Sequence, residues 1–322
     1  MAILINNVGG DSGAWAEAIT LHFPDTPVHC YPDIPNAEEI EYAVIWNHPH
    51  GDLLNYPNLK AVLLLGAGTD FIDQDPAMQE LQPEVPLVRL LDPDVGNDMA
   101  QYACYWAMHF HRRYEDYRQQ ASRAQWLQHE VARAADTRVS VLGLGIIGSF
   151  IAERIAMNGF AAQAWNRSAK TVSDVQCFSG ASGLEELLAT SDILINCLPL
   201  NAATHHLLNH QRLSTLPAGS YVINVSRGAI IEDKALLTLL DSGHIAGAAL
   251  DTFAHEPLER ESPLWAAQAK HTNVHITPHI SGATYAKSAA KVVVDNIMRM
   301  KQGEAPFPIH HIQTENQIDA HL

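Results

Sequence analysis

The chain has 322 residues, 47% of them hydrophobic and 17% charged, the composition of a folded globular protein with room for about two domains. Its 36 acidic against 20 basic side chains give a formal charge of -16, which argues against nucleic acid and anionic membranes as partners. Four scattered cysteines without a CxxC pair, a start lacking a basic leader and the absence of a bilayer-length apolar run point to a reduced, cytoplasmic protein.

Short apolar runs of β type alternate with longer amphipathic stretches, the pattern of parallel sheets flanked by helices. The first series of expected strands is 2–6, 28–31, 42–46, 61–65 and 87–90. A helix is expected from about Asp98 into the 120s, with Met99, Tyr102, Ala103, Trp106 and Phe110 on one stripe. The second series is 138–142, 161–165, 193–197, 221–225, 246–250 and 274–276, followed by a helix over 283–300 that stops at Gly303. Two doubly wound α/β domains follow. The first is discontinuous, 1–101 with 281–322, because the last helix can return the chain to it; the second is 102–280. The Pro- and His-rich tail from Glu304 reads as loosely held.

Gly143-Leu144-Gly145-Ile146-Ile147-Gly148 lies between a β run and the helical run 149–157. In that position the first glycine permits a tight turn, the second lets backbone approach a pyrophosphate, and the third allows close helix packing. The helix N-terminus then offers free N–H groups to phosphate. The next strand ends at Asn166-Arg167-Ser168-Ala169-Lys170. No carboxylate stands there to grip a ribose 2′-hydroxyl, while Arg167, Lys170 and the Ser168 hydroxyl suit a 2′-phosphate, so NADP(H) is expected, with NAD(H) possible.

Three later strands each deliver a polar group at the carboxyl end, where open α/β sheets bind ligands: Arg227 after one, Glu256 after the next and His279 after the last. Reduction of a 2-keto acid needs a cation for the carboxylate and the polarised carbonyl, and a guanidinium serves through paired hydrogen bonds. It also needs an acid for the nascent alkoxide, and an imidazole raised in pKa by a neighbouring carboxylate fits that need. His271, His275 and His279 would share a helix face, but the stretch between them is β-prone and broken by Pro278. No metal site is expected.

These segments, with Gly66-Ala67-Gly68-Thr69-Asp70, resemble the D-isomer specific 2-hydroxyacid dehydrogenase family in order and spacing over nearly the whole chain. Trp46-Asn47-His48-Pro49, Asn166-Arg167-Ser168 and Ser262-Pro263-Leu264-Trp265 are similar to its glyoxylate/hydroxypyruvate reductase A branch. The resemblance implies a Rossmann nucleotide domain, a flavodoxin-like substrate domain and a homodimer. It implies that Arg227 binds substrate, that His279 donates the proton and that Glu256 pairs with it. It further implies that Asp251 meets the nicotinamide carboxamide, and that Leu198, Pro199, Val225, Ser226 and Gly282 join the glycine loop at the cofactor. The amides of Ala67, Gly68 and Thr69 would hold the substrate carboxylate, and Trp46 would wall the pocket. Ser281-Gly282-Ala283 is less bulky than the branch pattern, which suggests space for a larger 2-keto acid. The competing reading is a nucleotide-sensing regulatory protein of the same fold without relevant turnover.

Overall fold

The computed structural model describes residues 1–312. Among them thirteen strands follow in chain order: β1 (Ala2–Asn7), β2 (Val28–Cys30), β3 (Ile40–Trp46), β4 (Ala61–Leu64), β5 (Leu87–Val88), β6 (Arg138–Leu142), β7 (Ala161–Asn166), β8 (Gln176–Ser179), β9 (Ile193–Asn196), β10 (Ser220–Asn224), β11 (Ile245–Leu250), β12 (Val274–Ile276) and β13 (Ile309–His310). They form a six-stranded sheet in the order β13-β5-β4-β3-β1-β2 and a seven-stranded sheet in the order β12-β11-β10-β9-β6-β7-β8. All neighbours run parallel except β13 on β5.

Near-continuous apolar strands are what a parallel sheet covered on both faces requires. Ile3 and Ile5 of β1 pack with Trp15 and Ile19, while Ala2 and Leu4 face Leu53 and Met78 on the other side. In the second sheet, Ile193 and Ile195 of β9 join one core and Leu194 the opposite one. Each sheet therefore carries two cores, one per face, as the period-two alternation of side chains dictates.

The described residues divide into two compact units, Met1–Asp94 together with 284–312, and Val95–Ala283. The first boundary lies before the expected 101/102. The helix Pro93–His111 begins there, and its Val95, Met99 and Ala100 pack with Val139, Val141, Ile151 and Ala152 of the second unit. The single long helix expected from Asp98 onward is two, Pro93–His111 and Tyr114–Ser122. Arg113 interrupts it in the left-handed region at φ 55°.

Two strands escaped the sequence reading. In β8 the residues are only half-buried or exposed, so no apolar run announces it. The tail, expected to be loose, contributes β13: Ile309 pairs with Val88, His310 with Leu87, and the Arg89 N–H donates to the Pro308 carbonyl at 3.0 Å. The rest of that tail, 313–322, lies outside the described residues. Among the described residues no helix is long and apolar enough to cross a membrane.

Ile195 is fully buried in β9, the middle strand of the seven-stranded sheet. Ile195→Ala is expected to lower unfolding free energy by about 2–5 kcal/mol, read by urea denaturation, whereas Ile195→Val costs about 1 kcal/mol.

Candidate active site

At the carboxyl end of β6 the chain turns through Gly143, whose φ of +95° disfavours any other residue. A Cβ on Gly148 would fall on the Gly143 carbonyl oxygen, so the helix Ile146–Met157 seats directly against the turn only because that side chain is missing. Around Gly145 the opposite holds: a Cβ there would meet nothing within 4 Å, and the helix has no side-chain cap on its first turn. An open cradle over uncapped N–H groups suits a pyrophosphate. Ile146 is exposed beside it, and Ile147 packs inward against the core.

Asn166, at the end of β7, braces this turn. Its Oδ1 accepts from the Leu144 N–H at 3.3 Å, and its Nδ2 donates to the Ser168 carbonyl and hydroxyl at 3.0 and 3.2 Å. Lys170 donates to the Leu144 carbonyl at 2.6 Å. Its amine is thus tied to the glycine loop, while Arg167 and Ser168 lie exposed at the strand end.

Arg227 follows β10 and is positioned by a buried amide pair that the sequence reading missed. Asn196 Nδ2 donates to Asn224 Oδ1 at 2.9 Å, and Asn224 Nδ2 donates to the Arg227 carbonyl at 3.2 Å. Each asparagine ends its strand and is almost wholly buried, so each side chain can satisfy loop groups that β pairing no longer reaches. The neighbouring loop positions are divided. Leu198 and Val225 are buried, Pro199 is exposed, and the Ser226 hydroxyl donates to the Leu198 carbonyl.

A Cβ on Gly228 would collide with the backbone of Phe253 and Ala254, which brings the Arg227 loop hard against the loop carrying Glu256. That second loop is closed by the Phe253 N–H donating to Glu256 Oε1 at 2.8 Å. The other carboxylate oxygen, Oε2, accepts from His279 Nδ1 at 2.6 Å. The hydrogen bond to Glu256 lifts the His279 pKa above its ordinary value; burial and the Arg227 charge oppose the rise and lose. Burial alone would push Glu256 up, but His279, the Phe253 N–H and Arg227 together hold it below the usual carboxylate range. Arg227, Glu256 and His279 therefore share one electrostatic neighbourhood.

His279 has a φ of 52°, a conformation costly for a non-glycine residue unless its surroundings hold it. Asp251 supplies that hold. Its carbonyl accepts the His279 N–H at 2.9 Å. Its fully buried carboxylate accepts from the Thr277 hydroxyl at 2.6 Å, the Ile280 N–H at 2.9 Å and the Ser281 N–H at 2.7 Å. Tyr102 and Thr277 join hydroxyls at 2.6 Å, and burial lifts the Tyr102 pKa to about 12. The resemblance had put Asp251 at the nicotinamide carboxamide; here its oxygens face the turn that presents His279. Gly282 also differs from expectation. A Cβ there would lie 2.6 Å from Met99 Cγ, so Met99 fills the space beside this small residue.

In the first unit, Trp46 is half-buried, lies over Gly66 and meets Phe71 edge-on at a centroid distance of 4.7 Å. The following loop is anchored by His48, whose Nε2 pairs with Asp75 Oδ2 at 2.7 Å with both side chains fully buried. Ala67, Gly68 and Thr69 are half-buried after β4. Nothing in the sequence pattern announced the His48–Asp75 pair, because the two residues belong to separate segments.

The three spaced histidines go separate ways. His271 bonds Asp241 at 2.8 Å, His275 stacks on Trp106 at 4.4 Å, and His279 bonds Glu256. Burial pulls the His275 pKa down to about 4. Among the described residues no three His, Cys, Asp or Glu side chains are grouped to hold a metal ion.

Residues 104–281 match the model of the D-isomer specific 2-hydroxyacid dehydrogenase NAD-binding domain. Among solved structures, the chain is 35% identical to a D-isomer specific 2-hydroxyacid dehydrogenase from Xanthobacter autotrophicus Py2 in complex with NADPH and MES. That match covers 97% of this chain and 98% of that one, with a TM-score of 0.90. A family protein from Klebsiella pneumoniae 342 is 32% identical over 98% of both chains, with a TM-score of 0.87. The NADPH-dependent glyoxylate/hydroxypyruvate reductase of Sinorhizobium meliloti, in complex with NADP and sulfate, is 28% identical over 97% of this chain and 98% of that one, with a TM-score of 0.86. The fold and its glycine loop are those of a nicotinamide-dependent oxidoreductase. The chain belongs to the D-isomer specific 2-hydroxyacid dehydrogenase family.

Because the Glu256 hydrogen bond is the largest influence on His279, Glu256→Gln is expected to move the imidazole titration to lower pH, followed by NMR of the His279 ring. An unmoved midpoint would show that the pair does not control the proton. The sign for stability follows: the pair stabilises the fold below the ordinary histidine pKa and loses that contribution as pH rises through the raised one.

Proposed function

We propose that the chain is a cytoplasmic, homodimeric reductase that converts small 2-keto acids to 2-hydroxy acids with NADPH, glyoxylate and hydroxypyruvate being the first substrates to test. The observation that carries this reading is the 2.6 Å Nδ1 to Oε2 bond between His279 and Glu256, felt electrostatically by Arg227. Support for the cofactor comes from the carboxylate-free end of β7 with exposed Arg167 and from relatives crystallised with NADPH or NADP. Support for the dimer comes from Tyr105, Trp126 and Leu127, which are large, apolar and exposed.

Bound NADPH supplies the hydride. The residues supply the rest. Arg227 binds the carboxylate and carbonyl oxygen of the keto acid, concentrating positive charge where negative charge develops. With Nδ1 committed to Glu256, delivery of the proton to that oxygen falls to His279 Nε2, on a side chain 45% exposed. Glu256 favours the imidazolium that reduction requires and stabilises the ring tautomer that remains. Asp251 keeps the turn at 277–281 in the conformation that aims His279. The amides of Ala67, Gly68 and Thr69 receive the substrate carboxylate, and Trp46 forms an apolar wall. Small substrates are favoured over larger hydroxy acids because Met99 fills the space beside Gly282.

His279→Ala is expected to lower kcat with glyoxylate by about 10²- to 10⁴-fold while the NADPH dissociation constant stays near that of the parent. Retained turnover would remove His279 from the chemistry. Arg167→Ala is expected to raise KM for NADPH severalfold and to leave KM for NADH unchanged; equal effects on both cofactors would dismiss the 2′-phosphate assignment. Absence of turnover across a panel of 2-keto acids, with NADPH still bound, would favour a nucleotide-sensing protein.

A further inference from the structure

The tail that was expected to be loose ends up beside the loop assigned to the substrate carboxylate. As β13, it is laid antiparallel on β5, fixed by the Arg89 N–H to the Pro308 carbonyl at 3.0 Å and by Gln82 Nε2 to the His310 carbonyl at 2.9 Å. Two side chains leave this pair of strands toward residues 67–73. From β13, His310 Nε2 meets Asp73 Oδ1 at 2.6 Å, and the other oxygen of Asp73 accepts from the Thr69 hydroxyl at 3.0 Å. From the end of β5, Arg89 Nη2 donates to the Ala67 carbonyl at 3.1 Å. Arg89 is largely withdrawn from water, and burial lowers its pKa.

Each contact bears on a different end of the three-residue loop. Arg89 engages the carbonyl of Ala67, polarising that peptide group so that the following N–H, on Gly68, becomes a better donor. The Asp73 carboxylate accepts from the Thr69 hydroxyl, and the Asp73 N–H donates to the Thr69 carbonyl at 2.9 Å. Asp73 is itself held by His310, which is 20% exposed. A short loop whose amides must point at one anion gains most from such bracing, because ordering it on binding would cost affinity.

We propose that His310 is a positioning residue for substrate recognition, acting through Asp73 on Thr69, so that the C-terminal strand is a working part of the carboxylate-binding loop. This rests on the assignment of residues 67–69 to the substrate carboxylate made above. Arg89 is the second brace, on Ala67.

The test has a kinetic arm and an arm that needs no substrate. In the kinetic arm, His310→Ala raises KM for glyoxylate about tenfold, with kcat within about twofold and the NADPH dissociation constant unchanged. His310→Gln, which keeps a donor at similar reach, restores most of the loss. Thr69→Val raises KM as well, and the His310→Ala, Thr69→Val double variant is no worse than the poorer single one, because both interrupt one chain of contacts. In the second arm, hydrogen exchange of the full-length protein without substrate shows faster exchange over 66–74 in His310→Ala, with peptides of Val95–Ala283 unchanged.

Unchanged exchange over 66–74 would overturn the proposal. So would faster exchange with an unchanged KM, additive losses in the double variant, or a loss spread equally over KM and NADPH affinity. If the parent reduces no 2-keto acid yet His310→Ala still loosens 66–74, the functional reading fails and the substrate role of His310 falls with it, leaving only the brace.

Discussion

The chemistry proposed for this chain depends on a buried carboxylate that touches no proton in transit. Asp251 sits at the end of β11, fully buried, and gathers the Thr277 hydroxyl and the amides of Ile280 and Ser281 onto two oxygens. A carboxylate taken from water must be met by several donors, and here those donors are the turn that carries His279. The cost of burying Asp251 is therefore offset only when the turn is correctly folded, which makes the left-handed backbone of His279 the stable arrangement.

The same logic recurs at the neighbouring strand ends. Asn196 and Asn224 are buried where β9 and β10 stop, and their side-chain amides take over from the sheet ladder in satisfying the loop backbone. Gly228 then allows the Arg227 loop to lie against Phe253 and Ala254. The loops after β9 and β10, like the turn at 277–281, are thus fixed by buried side chains that bond loop groups. On these loops a guanidinium, a carboxylate and an imidazole share one electrostatic neighbourhood.

In the first unit the bracing comes from residues distant in the chain. His48 and Asp75 form a fully buried pair beneath the loop that follows Trp46, and His310 reaches Asp73 from the far end of the sequence. Both pairs join segments that have no periodic relation, so neither could be read from spacing. His310 stood among the 18 histidines of the chain with nothing to distinguish it, and the short β13 has too few residues to show an alternating pattern.

Much was nonetheless legible beforehand. The strands that are buried on both faces, β1, β3, β4, β6, β9 and β11, show as apolar runs because burial of both faces demands them. The glycines at 143 and 148 were readable because backbone packing there excludes a side chain, and the places of Arg227, Glu256 and His279 because each follows a strand at its carboxyl end. What only the tertiary structure decided is how those groups are held and what fills the space around them. Met99 occupying the volume beside Gly282, Asp251 facing the His279 turn, and a tail strand reaching Asp73 are contacts between segments far apart in the chain. Local sequence determines periodicity and turns, whereas the partner of a buried polar group is set by which segments the folded core brings together.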